Sequence, residues 1–121
     1  MNHTLLYIED DEHNIALVEA VLRRRPQIEL HVAMNGRDGV QAAIDKQPGL
    51  ILLDNRLPDT TGSKILQELA SSSATAAIPV VILTGDSDEV IDELLASGAA
   101  ESVAKPFSFR QFIEIIDRYL K

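Results

Sequence analysis

Four apolar residues, Leu50-Ile51-Leu52-Leu53, run without a break into a carboxylate, Asp54, and turn formers follow at once (Asn55-Arg56-Leu57-Pro58-Asp59-Thr60-Thr61-Gly62). An alternating strand can leave one face in water. An unbroken apolar run bounded by turn residues needs both faces covered, as in the interior of a parallel sheet. Asp54 would then close a central strand at its carboxyl end, where open α/β sheets carry their ligand sites. On position alone, a strand-end Asp serves equally well as a turn cap.

Other segments converge on the same edge. Thr4-Leu5-Leu6-Tyr7-Ile8 reads as a strand ending in Glu9-Asp10-Asp11-Glu12, and Pro79-Val80-Val81-Ile82-Leu83 as one ending in Thr84-Gly85-Asp86. Ala99 to Ala104 ends in Lys105-Pro106, and Ile28 to Met34 alternates loosely enough for a further strand. Between them the helical period predicts five helices. The first spans Asp11–Arg25 with a stripe of Leu17, Val18, Val21 and Leu22, and Pro26 stops it. The second spans Arg37–Lys46, with Val40, Ala43 and Ile44 inward, and Pro48-Gly49 breaks it. The third covers Gly62–Ala70 through Ile65, Leu66 and Leu69, and the Ser-rich stretch after it reads as a flexible connection. Asp86 with Glu89 matches a capping box for a fourth helix that runs to Ser97 and stops at Gly98. Ser108 with Gln111, and Phe107 with Phe112, match a capping box and a hydrophobic staple for the last, whose core face is Phe112, Ile113, Ile116 and Leu120.

Five strands alternating with five helices predict a parallel sheet covered on both faces. The length of 121 residues suits one flavodoxin-like doubly wound (βα)5 domain over 1–121, with strand order 2-1-3-4-5. In that order the first and third strands adjoin, which puts Glu9 and Asp10 beside Asp54.

Composition narrows the chemistry. Nineteen acidic against eleven basic residues give a net charge of −8, which argues against a nucleic-acid groove. With no cysteine, disulfides, thiol chemistry and thiolate metal sites are excluded. No apolar run approaches the roughly 18 residues that span a bilayer, and the start lacks the basic and apolar regions of a secretory signal. A cytoplasmic protein is expected. Three neighbouring carboxylates repel one another, and an oxygen-only donor set favours a hard ion such as Mg²⁺, which takes a few carboxylates, waters and phosphate oxygens. Lys105 can pair with a phosphate oxygen and the Thr84 hydroxyl can donate to another. A carboxylate can itself accept a phosphoryl group. Taken singly, an acid pair that caps a helix, a solvated lysine and a β-branched strand residue are ordinary features. It is their meeting at four strand ends that points to phosphoryl chemistry.

The ordered set Glu9-Asp10, Asp54, Leu57-Pro58 with Gly62, Thr84-Gly85 and Lys105-Pro106-Phe107 resembles a response-regulator receiver domain of two-component signalling, over essentially the whole chain. The opening Tyr7-Ile8-Glu9-Asp10-Asp11 with Asn14 resembles receivers attached to hybrid sensor kinases. The resemblance implies that Asp54 accepts a phosphoryl group from a phosphohistidine on a sensor histidine kinase or a histidine phosphotransfer protein. It implies that Asp10 and Asp54 bind Mg²⁺, with Glu9 acting through a metal-bound water and the Arg56 backbone carbonyl as a further ligand. Thr84 and Lys105 would contact the phosphoryl oxygens, before a Lys105–Pro106 bond that is often cis. It further implies a signalling domain that catalyses only its own phosphorylation and dephosphorylation and switches partner binding, as a monomer or weak dimer. The chain would be either a stand-alone regulator or a piece of a longer one.

Two departures stand out. Ser102 occupies the position where the family carries an aromatic residue or His that swings inward as the Thr moves, so the resemblance does not extend to that readout. Thr60-Thr61 replaces the common Met-Asp before the loop glycine. Among rivals, a haloacid-dehalogenase-type phosphatase needs a second Asp two residues after the nucleophile, where Arg56 stands. A flavodoxin needs a first loop whose backbone cradles phosphate, whereas Glu9-Asp10-Asp11-Glu12 repels it. A pseudo-receiver that only docks to partners would not need Glu9, Asp10, Asp54, Thr84 and Lys105 together.

Overall fold

The computed structural model describes residues 2–120, in which the alternation resolves as β1 (Thr4–Ile8), α1 (Glu12–Leu22), β2 (Glu29–Ala33), α2 (Gly36–Lys46), β3 (Leu50–Asp54), α3 (Gly62–Ser71), β4 (Val80–Thr84), α4 (Asp88–Ala96), β5 (Glu101–Ala104) and α5 (Phe109–Tyr119). Every strand pair is parallel and the order is β2-β1-β3-β4-β5. The doubly wound arrangement expected from the apolar runs is the one observed.

Strand parity divides the core into two layers. Side chains alternate across a sheet, so Leu5, Tyr7, Leu50, Leu52, Val81, Leu83 and Val103 pack with Val18 and Leu22 of α1 and with Phe112, Ile115 and Ile116 of α5. Leu6, Ile8, Ile51, Leu53, Val80 and Ile82 pack with Ala43 of α2, Ile65, Leu66 and Leu69 of α3, and Leu94 of α4. All five residues of β3 are buried, as an uninterrupted apolar run requires. In α5 the hydroxyl of Ser108 accepts from the Gln111 backbone while Gln111 caps in return. The Phe107 and Phe112 rings stack at 5.4 Å, completing the predicted staple.

The structure departs from the sequence reading in several places. Helix α1 stops at Leu22, not Arg25, because the N–H groups of Arg23, Arg24 and Arg25 bond to carbonyls three residues back. Pro26 disfavours helical backbone at the residue before it, so the last turn tightens and leaves the arginines outside. Leu17 and Ile44, expected inward, are exposed, and α5 buries Ile115 where Ile113 was expected. Strand β5 starts at Glu101, because Gly98 (φ 117°) and the Ala99 N–H bonded to Leu94 O still belong to the end of α4. The left-handed φ at Gly98 is the reason a glycine stops that helix.

The Ser-rich segment is not a loose connection. Backbone bonds from Thr75 and Ala76 to Ser72 O wind it into a turn. Thr75 is buried, and its hydroxyl donates to Leu69 O at 2.6 Å, closing an open carbonyl at the end of α3. Thr75→Val keeps the shape but leaves that buried carbonyl unsatisfied, so it is expected to lower unfolding free energy by about 1–3 kcal/mol. Urea denaturation with an unchanged m-value is the check; a loss below about 0.5 kcal/mol would show that the segment carries no such anchor.

Candidate functional site

The ladder continues one residue past two strand ends. Glu9 N–H donates to Ala33 O at 2.9 Å and Lys105 N–H to Thr84 O at 3.0 Å. Parity therefore persists there: Glu9 follows Leu5 and Tyr7, Asp54 follows Leu50 and Leu52, and Lys105 follows Val103, all on the α1/α5 side. Ile8 lies in register with Leu53, which sets Glu9 beside Asp54. Lys105 Nζ reaches both carboxylates, 3.0 Å from Glu9 Oε1 and 3.4 Å from Asp54 Oδ1. The Lys105–Pro106 peptide bond is cis.

These groups floor a cleft of about 490 Å³ whose walls include Asp10, Asp11, Asn14, Arg56, Thr84 and Asp86. Asp10 is exposed at its mouth, Asp54 nearly buried, and Glu9 fully buried. One carboxylate oxygen from each of Glu9, Asp10 and Asp54 lies within 4.8 Å of the other two. Glu9 Oε1 accepts from Tyr7 Oη (3.0 Å), Asn14 Nδ2 (2.9 Å) and Lys105 Nζ, whereas its buried Oε2 has no hydrogen-bond partner. A buried, unsatisfied anionic oxygen beside two further carboxylates fits a hard divalent cation with oxygen ligands. Asp11, by contrast, accepts from the His13 and Asn14 backbone and caps α1.

Electrostatics follow the same geometry. Burial, and then the neighbouring Glu9 carboxylate, push Asp54 up to about 6. Burial works against the Glu9 charge, but the neighbouring Asp54 carboxyl, Lys105 and Asn14 outweigh it and hold Glu9 below the ordinary range. For Lys105, burial is outweighed by Glu9 and Asp54, which raise it above an ordinary lysine.

Thr84 falls on the other parity, with Val80 and Ile82, and looks toward α3 and α4. Its hydroxyl donates to Asp86 Oδ2 at 2.5 Å. Asp86 also accepts from Asn55 Nδ2 (2.9 Å) and Arg56 Nη2 (2.8 Å). Hydrogen bonds from Thr84, Asn55 and Arg56 depress the Asp86 carboxyl to about 2. The expected Asp86–Glu89 capping box is therefore absent: Ser87 is the N-cap of α4, without a side-chain bond, and the Asp86 carboxylate is engaged by the local Thr84 hydroxyl and by two tertiary donors, Asn55 and Arg56. The Arg56 side chain is 83% exposed and leans over the rim. An Arg56–Thr61 bridge closes the β3–α3 loop, and Asp59 pins it to α2 by accepting from Gly36 and Arg37 N–H. Gly62 allows the close approach to Asn55, whose Oδ1 would lie 2.7 Å from an added Cβ.

Thus Glu9, Asp10, Asp54 and Lys105 meet at one edge, Arg56 lines the rim, and Thr84 lies at the cleft with its hydroxyl bonded to Asp86. Tyr7 and Asn55 were not singled out for the site. The period-2 rule places Tyr7 on the same face as Glu9 and is the signal that could have found it. Ser102 is half-buried in β5 beside a polar cleft of about 210 Å³ bounded by Glu101, Gln111, Glu114 and Arg118.

Residues 5–117 match the response regulator receiver domain family. The chain is 33% identical over 118 residues to the phosphate regulon transcriptional regulatory protein PhoB of Pseudomonas aeruginosa, and 32% identical over 117 residues to the regulatory protein AtoC of Escherichia coli. It spans 51% of the first and 25% of the second, with 96% of its own length covered in each case. The polar-differentiation response regulator DivK of Brucella anthropi is 28% identical over 121 residues, with 99% of this chain and 98% of that protein covered. Among solved structures, the receiver domain of a sensor histidine kinase from Pseudomonas aeruginosa PAO1, with a magnesium ion coordinated in its active-site cleft, superposes with a TM-score of 0.87 at 26% identity over 99% of this chain and 98% of that one. A response regulator structure from Chloroflexus aurantiacus gives 0.90 at 25% identity, with the same coverage. The chain belongs to the response regulator receiver domain family.

The raised Asp54 carboxyl has a measurable consequence. Folded Asp54 keeps a proton that the unfolded chain releases near pH 4, so this group costs stability as pH rises from about 4 through about 6. In Mg²⁺-free buffer, Asp54→Asn is expected to raise the melting temperature at pH 7 and to leave it unchanged near pH 4. An advantage that is the same at both pH values would contradict the assigned charge pair.

Proposed function

We propose that this receiver domain accepts a phosphoryl group on Asp54 from a phosphohistidine of a sensor histidine kinase or histidine phosphotransfer protein, in a Mg²⁺-dependent reaction, and so switches partner binding. The supporting observation is a strand-end carboxylate with a single ammonium 3.4 Å away, in a cleft holding two further carboxylates. In the transfer an Asp54 oxygen attacks phosphorus, the P–O bond forms as the imidazole P–N bond breaks, and the nitrogen leaves with the electron pair. Asp54 Oδ, phosphorus and the leaving nitrogen lie roughly in line. Lys105 Nζ, already between Glu9 and Asp54, turns to a phosphoryl oxygen as a point charge. Asp10 and Asp54, with Glu9 through a bound water and the Arg56 carbonyl, would hold Mg²⁺, which when bound neutralises charge on the phosphoryl oxygens. Thr84 exchanges its bond to Asp86 for a phosphoryl oxygen, which shifts the loop before α4. This is self-modification in a signalling domain over 1–121, with no nucleic acid or membrane as its partner. Among the described residues, no helix is long and apolar enough to cross a membrane.

An apolar groove beside the mouth supports the partner assignment. Leu17, Ala20 and Val21 of α1 face Phe107 and Phe109 across it, and Leu17 and Phe109 are 47% and 46% exposed. Leu17 and Phe107 continue along its edge to Lys105. A helix seated there by its apolar side would bring a histidine to Asp54. Incubation with acetyl phosphate and Mg²⁺ is expected to phosphorylate the chain and not its Asp54→Asn variant, by intact mass. Leu17→Ala with Phe109→Ala should slow transfer from a phosphorylated histidine phosphotransfer domain tenfold or more while leaving the acetyl phosphate reaction unchanged. Equal slowing of both would reject the groove as the docking site, and no phosphorylation at all would reject Asp54 as acceptor.

The rim governs how long the group lasts. Water must approach phosphorus opposite the Asp54 oxygen, and Arg56, held by Asp86, narrows that approach. Arg56→Ala is expected to speed loss of phosphate several-fold with little change in melting temperature, followed after rapid removal of the phosphodonor. An unchanged or slower rate rejects the gate.

A further inference from the structure

Tyr7 occupies a position where an apolar residue would need no partner. It lies in β1, paired with β2 on one side and β3 on the other, and is wholly buried. Its ring fills the layer beneath α1 and α5, and its hydroxyl ends on Glu9 Oε1. Three donors of different kinds, a phenol, the Asn14 amide and the Lys105 ammonium, thus crowd one carboxylate oxygen while the other, equally buried, has none. That asymmetry leaves Oε2 without a protein partner in a carboxylate that lies beside Asp10 and Asp54.

The three donors are not equivalent. Lys105 is shared between Glu9 and Asp54, and its ammonium sits on a flexible stem. A phosphoryl group on Asp54 brings new anionic oxygens within its reach, and Lys105 cannot keep its present geometry to Glu9 while serving them. Tyr7 cannot be drawn away, because its ring is locked in the core of a central strand and it has only two side-chain torsions. Asn14, in the first turn of α1, donates its side-chain amide to the same oxygen from a helix.

We propose that Tyr7 is a positioning residue of the cation site: its hydroxyl, backed by Asn14, orients Glu9 so that Oε2 faces the hydration shell of a divalent cation, and keeps it there when Lys105 leaves Glu9. The inference rests on the Mg²⁺ site proposed above. It explains why a buried carboxylate with one unsatisfied oxygen stays in place rather than rotating to share its oxygens among the donors.

Tyr7→Phe removes one oxygen and keeps the ring, so it tests the hydroxyl alone. Mg²⁺ is titrated into the unphosphorylated chain by NMR shifts, and the Mg²⁺ needed for half-formation of the beryllofluoride complex is measured separately. While Lys105 still holds Glu9, the variant should weaken Mg²⁺ about threefold. In the beryllofluoride complex the loss should grow to about tenfold, the size expected for a hydrogen bond to a charged group. Asn14→Ala, on the helix surface, should show the same pattern at smaller size and guards against a folding defect in the first variant. In a Glu9→Gln background Tyr7→Phe should change neither value. Equal weakening in both conditions, unchanged or tighter Mg²⁺ binding, or an effect that survives Glu9→Gln would overturn the positioning role. If the unsubstituted chain binds no Mg²⁺, the cation site itself falls, and this inference with it. Mg²⁺ binding that Tyr7→Phe leaves unaltered removes only the inference.

Discussion

The carboxyl edge of this sheet depends on two buried carboxylates, Glu9 and Asp54, set side by side and served by one ammonium. Charges of one sign do not approach in a low-dielectric interior without opposition. Here the opposition comes from the rest of the fold. Strands β3 and β4 are buried from end to end, β1 nearly so, and helices cover both faces, so the strand ends cannot separate to relieve the repulsion. Lys105 offsets part of it, and the Tyr7 and Asn14 donors offset part of what remains on Glu9. The balance is a standing preference for positive charge in a cleft with no sulfur or imidazole to ligate it.

Strand parity then divides the cleft. Glu9, Asp54 and Lys105 belong to the layer beneath α1 and α5, while Thr84 belongs to the layer beneath α3 and α4, with Asp86, Asn55 and Arg56 gathered at its end. One half concentrates titratable charge and the other is a closed hydrogen-bonded knot. A phosphoryl group on Asp54, as proposed, would stand at the boundary and meet both halves. It would give a one-residue chemical event access to two helix layers that share no side-chain cluster.

Much of this was readable from residue order because it rests on local rules. Unbroken apolar runs identify buried strands, and the residue that ends each run identifies the edge, so the meeting of Asp54, Glu9 and Lys105 at one edge is legible in residue order. What escaped depends on competition between local and distant partners. Asp86 satisfies a capping pattern with Glu89, yet Thr84, Asn55 and Arg56 reach its carboxylate first. Thr75 sits in a run of small polar residues that suggests looseness, and only its contact with Leu69 O makes it an anchor. Tyr7 read simply as a good strand former; its parity with Glu9 was available, but not the direction of its hydroxyl. A stripe of several apolar residues does not say which of them lies at its margin, so Leu17 is exposed and Ile115 takes the buried place expected of Ile113.

A hydroxyl has one proton to donate, and Thr84 has committed its own to Asp86. Any second acceptor at the cleft can be served only by exchange, so the two bonds form a balance whose tilt is their difference, not their strength. A difference of about 1.4 kcal/mol moves such a balance tenfold. On the proposed function Asp86 would be a counterweight placed outside the reacting group. Whatever alters its hold, whether Arg56 at the surface, the Asn55 amide or a protein resting on the start of α4, would then reset the threshold without touching Asp54. Sensitivity and chemistry are carried by different residues, and either can drift while the other stays where it is.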